Sequence, residues 1–200
     1  MSVEKFISDW KKKVFKPIYW LEGEESFYID QLMQYAEHHI LPAAEADFNL
    51  TIFLWKRCTM GRCCKCLQTR DIEKPQPYIE HPSAFTTFIV SYKEKKIDGR
   101  SKLAKILKQK GEVLTTKKLY DNQLPAWLTA QVTQKGCTIT QKAVMLLVDH
   151  IGNDLSRLNN EIDKIRINLS ENKNIDIDSI EKYVGVSKEF NVFELQNAIN

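Results

Sequence analysis

The pattern of apolar residues changes near residue 122, and this change restricts the fold more than any other feature of the sequence. Before it, short apolar runs that suit buried strands alternate with segments of helical spacing, and after it only helical spacing remains. Alternating strands and helices favour an α/β domain with a largely parallel sheet. We therefore predict an α/β domain in residues 1–121 and a small all-helical domain in residues 122–186.

Individual elements follow from apolar spacing and from capping residues. The predicted strands are Lys16–Gly23, Phe48–Phe53, Phe85–Val90 and Glu112–Thr116. The predicted helices cover Ile29–Ile40, Ser101–Gln109, Leu124–Val132, Thr140–Ile151, Leu155–Leu169 and Asp176–Val184. Residues 187–200 carry the start of another apolar helix, which needs a surface to pack against, so we expect them to begin a third domain.

The turn after the first predicted strand lacks the residues that bind a nucleotide phosphate. A phosphate-binding loop needs glycines and a lysine around the phosphates. Here the turn reads Glu22, Gly23, Glu24, Glu25 and Ser26, with three carboxylates that repel phosphate and no lysine. We therefore predict a degenerate loop that does not support ATP hydrolysis. We predict no catalytic residue and no bound cofactor anywhere in the chain.

The cysteines form the oddest cluster in the sequence, because four of the five lie within nine residues. Cys63 and Cys66 form a C-x-x-C pair that could bind zinc or cycle between redox states. A structural zinc site needs four ligands, and only Cys58, Cys64 or the distant His81 could complete this one. Cys58, Cys63 and Cys66 are the candidate metal ligands.

Positive charge is concentrated in one segment of a chain whose net charge is only +3. Between Lys93 and Lys118, ten basic residues stand against three acidic ones, a local charge of +7 that leaves −4 for the rest. Such a segment can attract phosphates, although it can equally be a solvated helix face. The candidate DNA phosphate contacts are Lys93, Lys95, Lys96, Arg100 and Lys102.

Three stretches of the chain carry a family resemblance. Tyr19–Leu32 reads YWLEGEESFYIDQL, Gly152–Ile165 reads GNDLSRLNNEIDKI, and Lys188–Leu195 reads KEFNVFEL. Together with the basic segment that ends in TTKKLYDNQLPAWL, they make the chain resemble the delta subunit of the bacterial DNA polymerase III clamp loader, in the style of its Bacteroidetes branch. The middle stretch is the most specific of the three.

The resemblance implies an AAA+-like α/β domain with a degenerate phosphate loop, a helical lid and a helical collar. It implies a role in DNA replication, in which the subunit binds and opens the sliding clamp without hydrolysing ATP. The implied partners are the other clamp-loader subunits, the sliding clamp and primed DNA. The family belongs to a holoenzyme that is a nucleotidyltransferase, so the resemblance leaves open whether this chain is called an enzyme.

Two departures from the family are expected to matter. The chain ends as the first collar helix begins, so we expect the collar to be missing. Residues 54–69 show neither helical nor strand spacing, and we expect them to be irregular and the sheet to be incomplete. One possible coding of Leu54–Thr69, read one base later, gives YGKDVPWADVVNACR, which resembles a delta-like helix. We therefore hypothesise a reading-frame slip there, followed by loss of the clamp-contacting wedge before Arg70.

Two alternative functions remain open on the sequence alone. One is a degenerate nucleotide-triphosphatase that still binds ATP, and the other is a zinc-dependent nucleic-acid-binding module. The apolar runs are short, and the first 13 residues lack the continuous apolar core of a signal peptide. We therefore expect a cytoplasmic protein with no membrane partner.

Overall fold

The computed structural model describes residues 3–40, 76–82, 87–169 and 173–185, and the backbone of 52–54 and 64–66. The chain divides into two compact units, Met1–Lys118 and Leu119–Asn200. The domain boundaries expected from the sequence, at 121 and 186, stay predictions. The expected start of a collar, residues 187–200, lies outside the described residues.

The first unit is built on a five-stranded sheet of the described residues, in the order β3-β2-β4-β1-β5. Its strands are β1 (Ile18–Gly23), β2 (Ile52–Leu54), β3 (Cys64–Cys66), β4 (Phe88–Lys93) and β5 (Glu112–Thr116). Its helices are α1 (Val3–Lys11), α2 (Ser26–His39), α3 (Gln76–Glu80) and α4 (Lys102–Lys110). All the strand pairs are parallel. The predicted α/β class with a largely parallel sheet is therefore confirmed.

Strand β1 lies inside the sheet, between β4 and β5, and it is buried on both faces, as is typical of a parallel strand covered on two sides. Tyr19 and Leu21 belong to a core cluster that includes residues of α1 and α2. Ile18 and Trp20 belong to a second cluster, which includes residues of α3 and α4. Because neighbouring side chains of a strand point to opposite faces, β1 places helices on both sides of the sheet.

Parts of the first unit differ from the sequence expectations. Residues 54–69 were expected to be irregular, yet Leu54 ends β2 and Cys64–Cys66 forms β3. That expectation is wrong for these residues. The three-residue strand β3 is formed by backbone hydrogen bonds to β2, which do not require alternating apolar residues in its own sequence. The other residues of the frame-slip segment, 55–63 and 67–69, lie outside the described residues.

Helix α1 was missed by the sequence analysis, although its pattern was readable. Val3, Phe6 and Trp10 are buried on one face of the helix, at spacings of three and four. The rings of Trp10 and Tyr19 meet edge to face, with centroids 5.2 Å apart. The pattern was missed because the segment was considered only for its lysines and for the apolar core of a signal peptide, which it lacks.

The second unit contains α5 (Leu124–Gln134), α6 (Gln141–Ile151), α7 (Leu155–Asn168) and α8 (Ile177–Val184). Leu155, Leu158, Ile162 and Ile165 are all buried, as their spacing predicted. The unit is helical, as expected, and it contains a short strand pair in addition. Two-residue strands, β6 (Thr138–Ile139) and β7 (Asn174–Ile175), pair in parallel. This pairing joins residues 36 apart, so no local pattern signals it.

The most specific stretch of the family resemblance has a structural explanation in this unit. Gly152 ends α6 with φ at +74°, a conformation that favours glycine. The Asn153 side chain donates to the Leu119 carbonyl and, at 3.3 Å, to the Asp121 carboxylate. Asp154 caps α7 by accepting from the Arg157 amide at 2.9 Å. The motif therefore joins two helices and attaches the start of the unit to their connection.

None of the helices in the described part of the chain combines the length and the hydrophobicity that a membrane span requires.

Candidate functional site

The candidate site is the carboxyl edge of the sheet in the first unit, where α/β proteins bind their ligands. The carboxyl end of β1 lies between the ends of β4 and β5, with Gly23 in register with Lys93 on one side and Thr116 on the other. Three chain segments therefore meet here: the turn after β1, the loop after β4 and the residues after β5.

Backbone amides at the end of β1 and in the turn after it are already used within the protein. The Gly23 amide donates to the Lys95 carbonyl at 3.0 Å, and the Glu24 amide donates to the Thr116 carbonyl at 3.2 Å. The Phe27 amide, in the first turn of α2, donates to the Glu25 side chain at 3.1 Å. These three amides are not available to a phosphate, and the turn adds negative charge. This geometry disfavours the alternative of an ATP-binding protein.

Gly23 has no room for a side chain. Its φ of +128° is rare for other residues, and an added Cβ would lie 2.1 Å from the Thr116 carbonyl oxygen. The Thr116 hydroxyl donates in turn to the Glu25 carbonyl at 2.9 Å, and lies 3.3 Å from the Glu22 carbonyl. The end of β5 is thus packed directly against the turn.

Glu22 is buried at the end of β1, and its carboxylate accepts three hydrogen bonds. Oε2 accepts from Trp20 Nε1 at 3.2 Å and from the Ile97 amide at 3.0 Å, and Oε1 accepts from the Thr115 hydroxyl at 3.2 Å. Such bonds offset the cost of burying a charged group. Burial and, secondarily, the nearby Glu22 carboxylate raise the pKa of Tyr92 on the adjacent strand.

Three of the five candidate DNA contacts have carboxylate partners. Lys93 pairs with Asp30, Lys96 pairs with Glu24 at 3.5 Å, and Lys102 pairs with Glu80 at 2.8 Å. The hydrogen bond from Lys102 and a second one from Gln76 lower the pKa of Glu80. These lysines could reach phosphates only by exchanging one anionic partner for another.

The other two candidates, Lys95 and Arg100, are exposed and have no ion pair within the described residues. Both lie in the loop after β4. Lys117 and Lys118, which follow β5 and are also exposed, were not among the candidates. Strands β4 and β5 are separated only by β1, about 10 Å across. We call Lys95, Arg100, Lys117 and Lys118 the basic edge.

Acidic side chains reduce the net charge of the basic edge. Glu24, Glu94 and Asp98 are exposed in the same turn and loop. The Asp98 carboxylate accepts from the Arg100 amide at 2.9 Å, which shapes the end of the loop. With its cations interspersed among carboxylates, the edge suits weak attraction to a polyanion better than tight binding.

Comparison with known proteins gives a consistent result over nearly the whole chain. The chain is 23% identical to the DNA polymerase III subunit delta of Bacillus subtilis over an alignment of 217 positions that covers 94% of this chain. It spans 62% of the length of that relative. The resemblance to the delta subunit is confirmed. No protein-family model matches the chain.

Two solved structures resemble the chain to different degrees. The clamp loader delta protein of Bacillus subtilis matches 99% of this chain and 67% of its own, with a TM-score of 0.65 and 21% identity. A RuvB mutant of Thermotoga maritima matches 92% of this chain with a TM-score of 0.45 and 11% identity. The first of these matches shows that the chain has the fold of the clamp loader delta protein.

The described part of the chain does not show the candidate metal ligands together. Cys58 and Cys63 lie outside them, and only the backbone of Cys66 is described, in β3. Within the described residues, no group of three histidine, cysteine or acidic side chains could hold a metal ion. The zinc site therefore stays a prediction, and nothing in the described geometry favours the zinc-module alternative.

Proposed function

We propose that this chain acts in DNA replication as a delta-type subunit of a DNA polymerase III clamp loader. The observation that carries the proposal is the match to a delta subunit over 94% of the chain, supported by the clamp-loader fold. Its role is to bind other components, because the turn after β1 has acidic side chains where a phosphate would bind. Its partners are the other clamp-loader subunits and the sliding clamp, in the cytoplasm.

Clamp binding tests both this proposal and the reading-frame hypothesis. In a calorimetric titration against the cognate sliding clamp, we expect the chain as given to bind weakly or not at all. A version with the inferred frame of residues 54–69 and a wedge restored should bind at least tenfold more tightly, because an apolar wedge on a helix provides the buried contact that dominates such interfaces.

The control is a version in which the restored residues keep their composition but stand in scrambled order. Equal affinity of the given and restored chains would contradict the frame slip. Failure of the restored chain to bind either the clamp or the cognate clamp-loader subunits would contradict the delta-type assignment. Sequencing the DNA across the codons for residues 50–72 tests the frame slip by itself.

Primed DNA is the proposed nucleic-acid partner, contacted through its phosphates at the basic edge. In fluorescence anisotropy, we expect weak binding that does not depend on base sequence and that falls steeply with salt. Each phosphate neutralised by a cation contributes about −0.9 to the slope of log affinity against log salt for duplex DNA. Replacing Lys95 and Arg100 together by glutamine should flatten that slope by about 2.

The matched control for that double variant replaces Lys164 and Arg166, two partly exposed cations of the other unit, by glutamine. The control should leave the slope unchanged. A sequence-selective interaction that resists salt, or an equal loss of slope in both variants, would contradict phosphate contact at the basic edge.

A further inference from the structure

The loop after β4, residues 94–100, is attached to the end of β1 by several hydrogen bonds. Gly23 exchanges two backbone bonds with it, because the Glu94 amide donates to the Gly23 carbonyl at 2.8 Å and the Gly23 amide donates to Lys95. Glu94 itself has φ at +64°, so the chain turns sharply as it leaves β4. The loop is thus tied to β1 at its first two residues.

Beyond Lys95, the Glu22 side chain connects the middle of the loop to β1. The buried Glu22 carboxylate accepts from the Ile97 amide, while Ile97 packs its side chain against the core cluster on the α4 side of the sheet. The same carboxylate holds Trp20 and Thr115, so it joins the loop to both β1 and β5. A carboxylate in this position accepts bonds from three segments, as a bound anion would.

We infer that Glu22 is a positioning residue, which holds the loop 94–100 in the conformation that presents Lys95 and Arg100 to a nucleic-acid phosphate backbone. The choice of a nucleic acid as partner rests on the proposed function. The role of Glu22 in holding the loop in one conformation does not. Lys95 lies two residues before Ile97 and Arg100 three residues after it, so the Glu22 bond lies between the two cations. Loss of this hydrogen bond would let the middle of the loop move, although its first two residues stay bonded to Gly23.

Three substitutions separate position from charge. Glu22→Leu removes all the acceptors and the negative charge, whereas Glu22→Gln removes the same charge but keeps an acceptor oxygen for the Ile97 amide. The two variants have equal net charge, so a difference between them reports on the hydrogen bonds. Glu24→Gln, in the same turn, removes an exposed carboxylate that pairs with Lys96 and serves as the control.

Amide hydrogen exchange of the whole chain is the first measurement. Loss of a hydrogen bond between a buried amide and a charged group changes the equilibrium for local opening by roughly tenfold or more. Glu22→Leu should speed exchange of the Ile97 amide about tenfold or more relative to Glu22→Gln and Glu24→Gln. Exchange at Ile97 that is equal in the Leu and Gln variants would overturn the inference, whatever the DNA result.

DNA affinity at low salt is the second measurement, with the Lys95→Gln and Arg100→Gln double variant as reference. Glu22→Leu should weaken binding relative to Glu22→Gln, and it should have no further effect in the double variant, because coupled residues are not additive. If the losses of DNA affinity from Glu22→Leu and from the double variant simply add, the inference that Glu22 positions these two cations is wrong. If the double variant binds DNA as the original chain does, the proposed DNA contact fails, and the exchange result alone decides the role of Glu22 in the loop.

Discussion

Leu158→Ala should lower the free energy of unfolding of the helical unit by about 2–5 kcal/mol, because it removes a fully buried side chain and leaves a cavity. Leu158 is 0% exposed in the first turn of α7, with Leu155 and Ile162 buried on the same face. Global amide exchange within α7 is the suitable measurement, since it reports on this unit separately from the sheet.

Ile167→Ala provides a matched control on the same helix. Ile167 is 77% exposed, so its truncation creates no cavity and should change the free energy of unfolding by less than about 0.5 kcal/mol. A loss below about 1 kcal/mol for Leu158→Ala, or equal losses for the two variants, would show that this face of α7 is not a packed core in solution.

Gly23→Ala should destabilise the sheet unit by about 3 kcal/mol or more. The substitution combines an unfavourable positive φ with a collision between the new Cβ and the backbone of β5, which cannot move without breaking its pairing to β1. Thermal unfolding followed by circular dichroism should show an early transition in this variant. Amide exchange in β1 and β5 should rise together with it.

Gly99→Ala is the control for that variant, because an added Cβ at Gly99 meets nothing within 4 Å. It should leave the unfolding temperature nearly unchanged. If Gly23→Ala and Gly99→Ala unfold at the same temperature, the close approach of the turn to Thr116 is absent in solution.

Elements with strong local patterns were predictable from the sequence. The apolar run of β1, the alternating spacing in α7 and the Thr140 cap of α6 each depend on residues within one strand or one helical turn. The Thr140 hydroxyl indeed accepts from the Ala143 amide, at 3.3 Å. Local patterns of this kind persist because the backbone geometry of a helix or strand repeats over a few residues.

Short strands were not predictable in the same way. Strands β3, β6 and β7 have two or three residues each, too few to establish a period. Their order comes from hydrogen bonds to segments elsewhere in the chain. Such pairings depend on which segments the fold brings together, so the expectation of an irregular 54–69 failed at Cys64–Cys66.

The candidate site shows the same division. The acidic turn after β1 and the concentration of cations after residue 93 could be read directly from the sequence, because both are matters of composition. Which of these cations lack a carboxylate partner among the described residues became clear only from the fold. Lys93 and Lys96 meet carboxylates 63 and 72 residues away, and Glu22 reaches the Ile97 amide 75 residues along the chain. Parallel strands place distant residues at one edge, and electrostatic interactions act across that short distance whatever the separation in sequence.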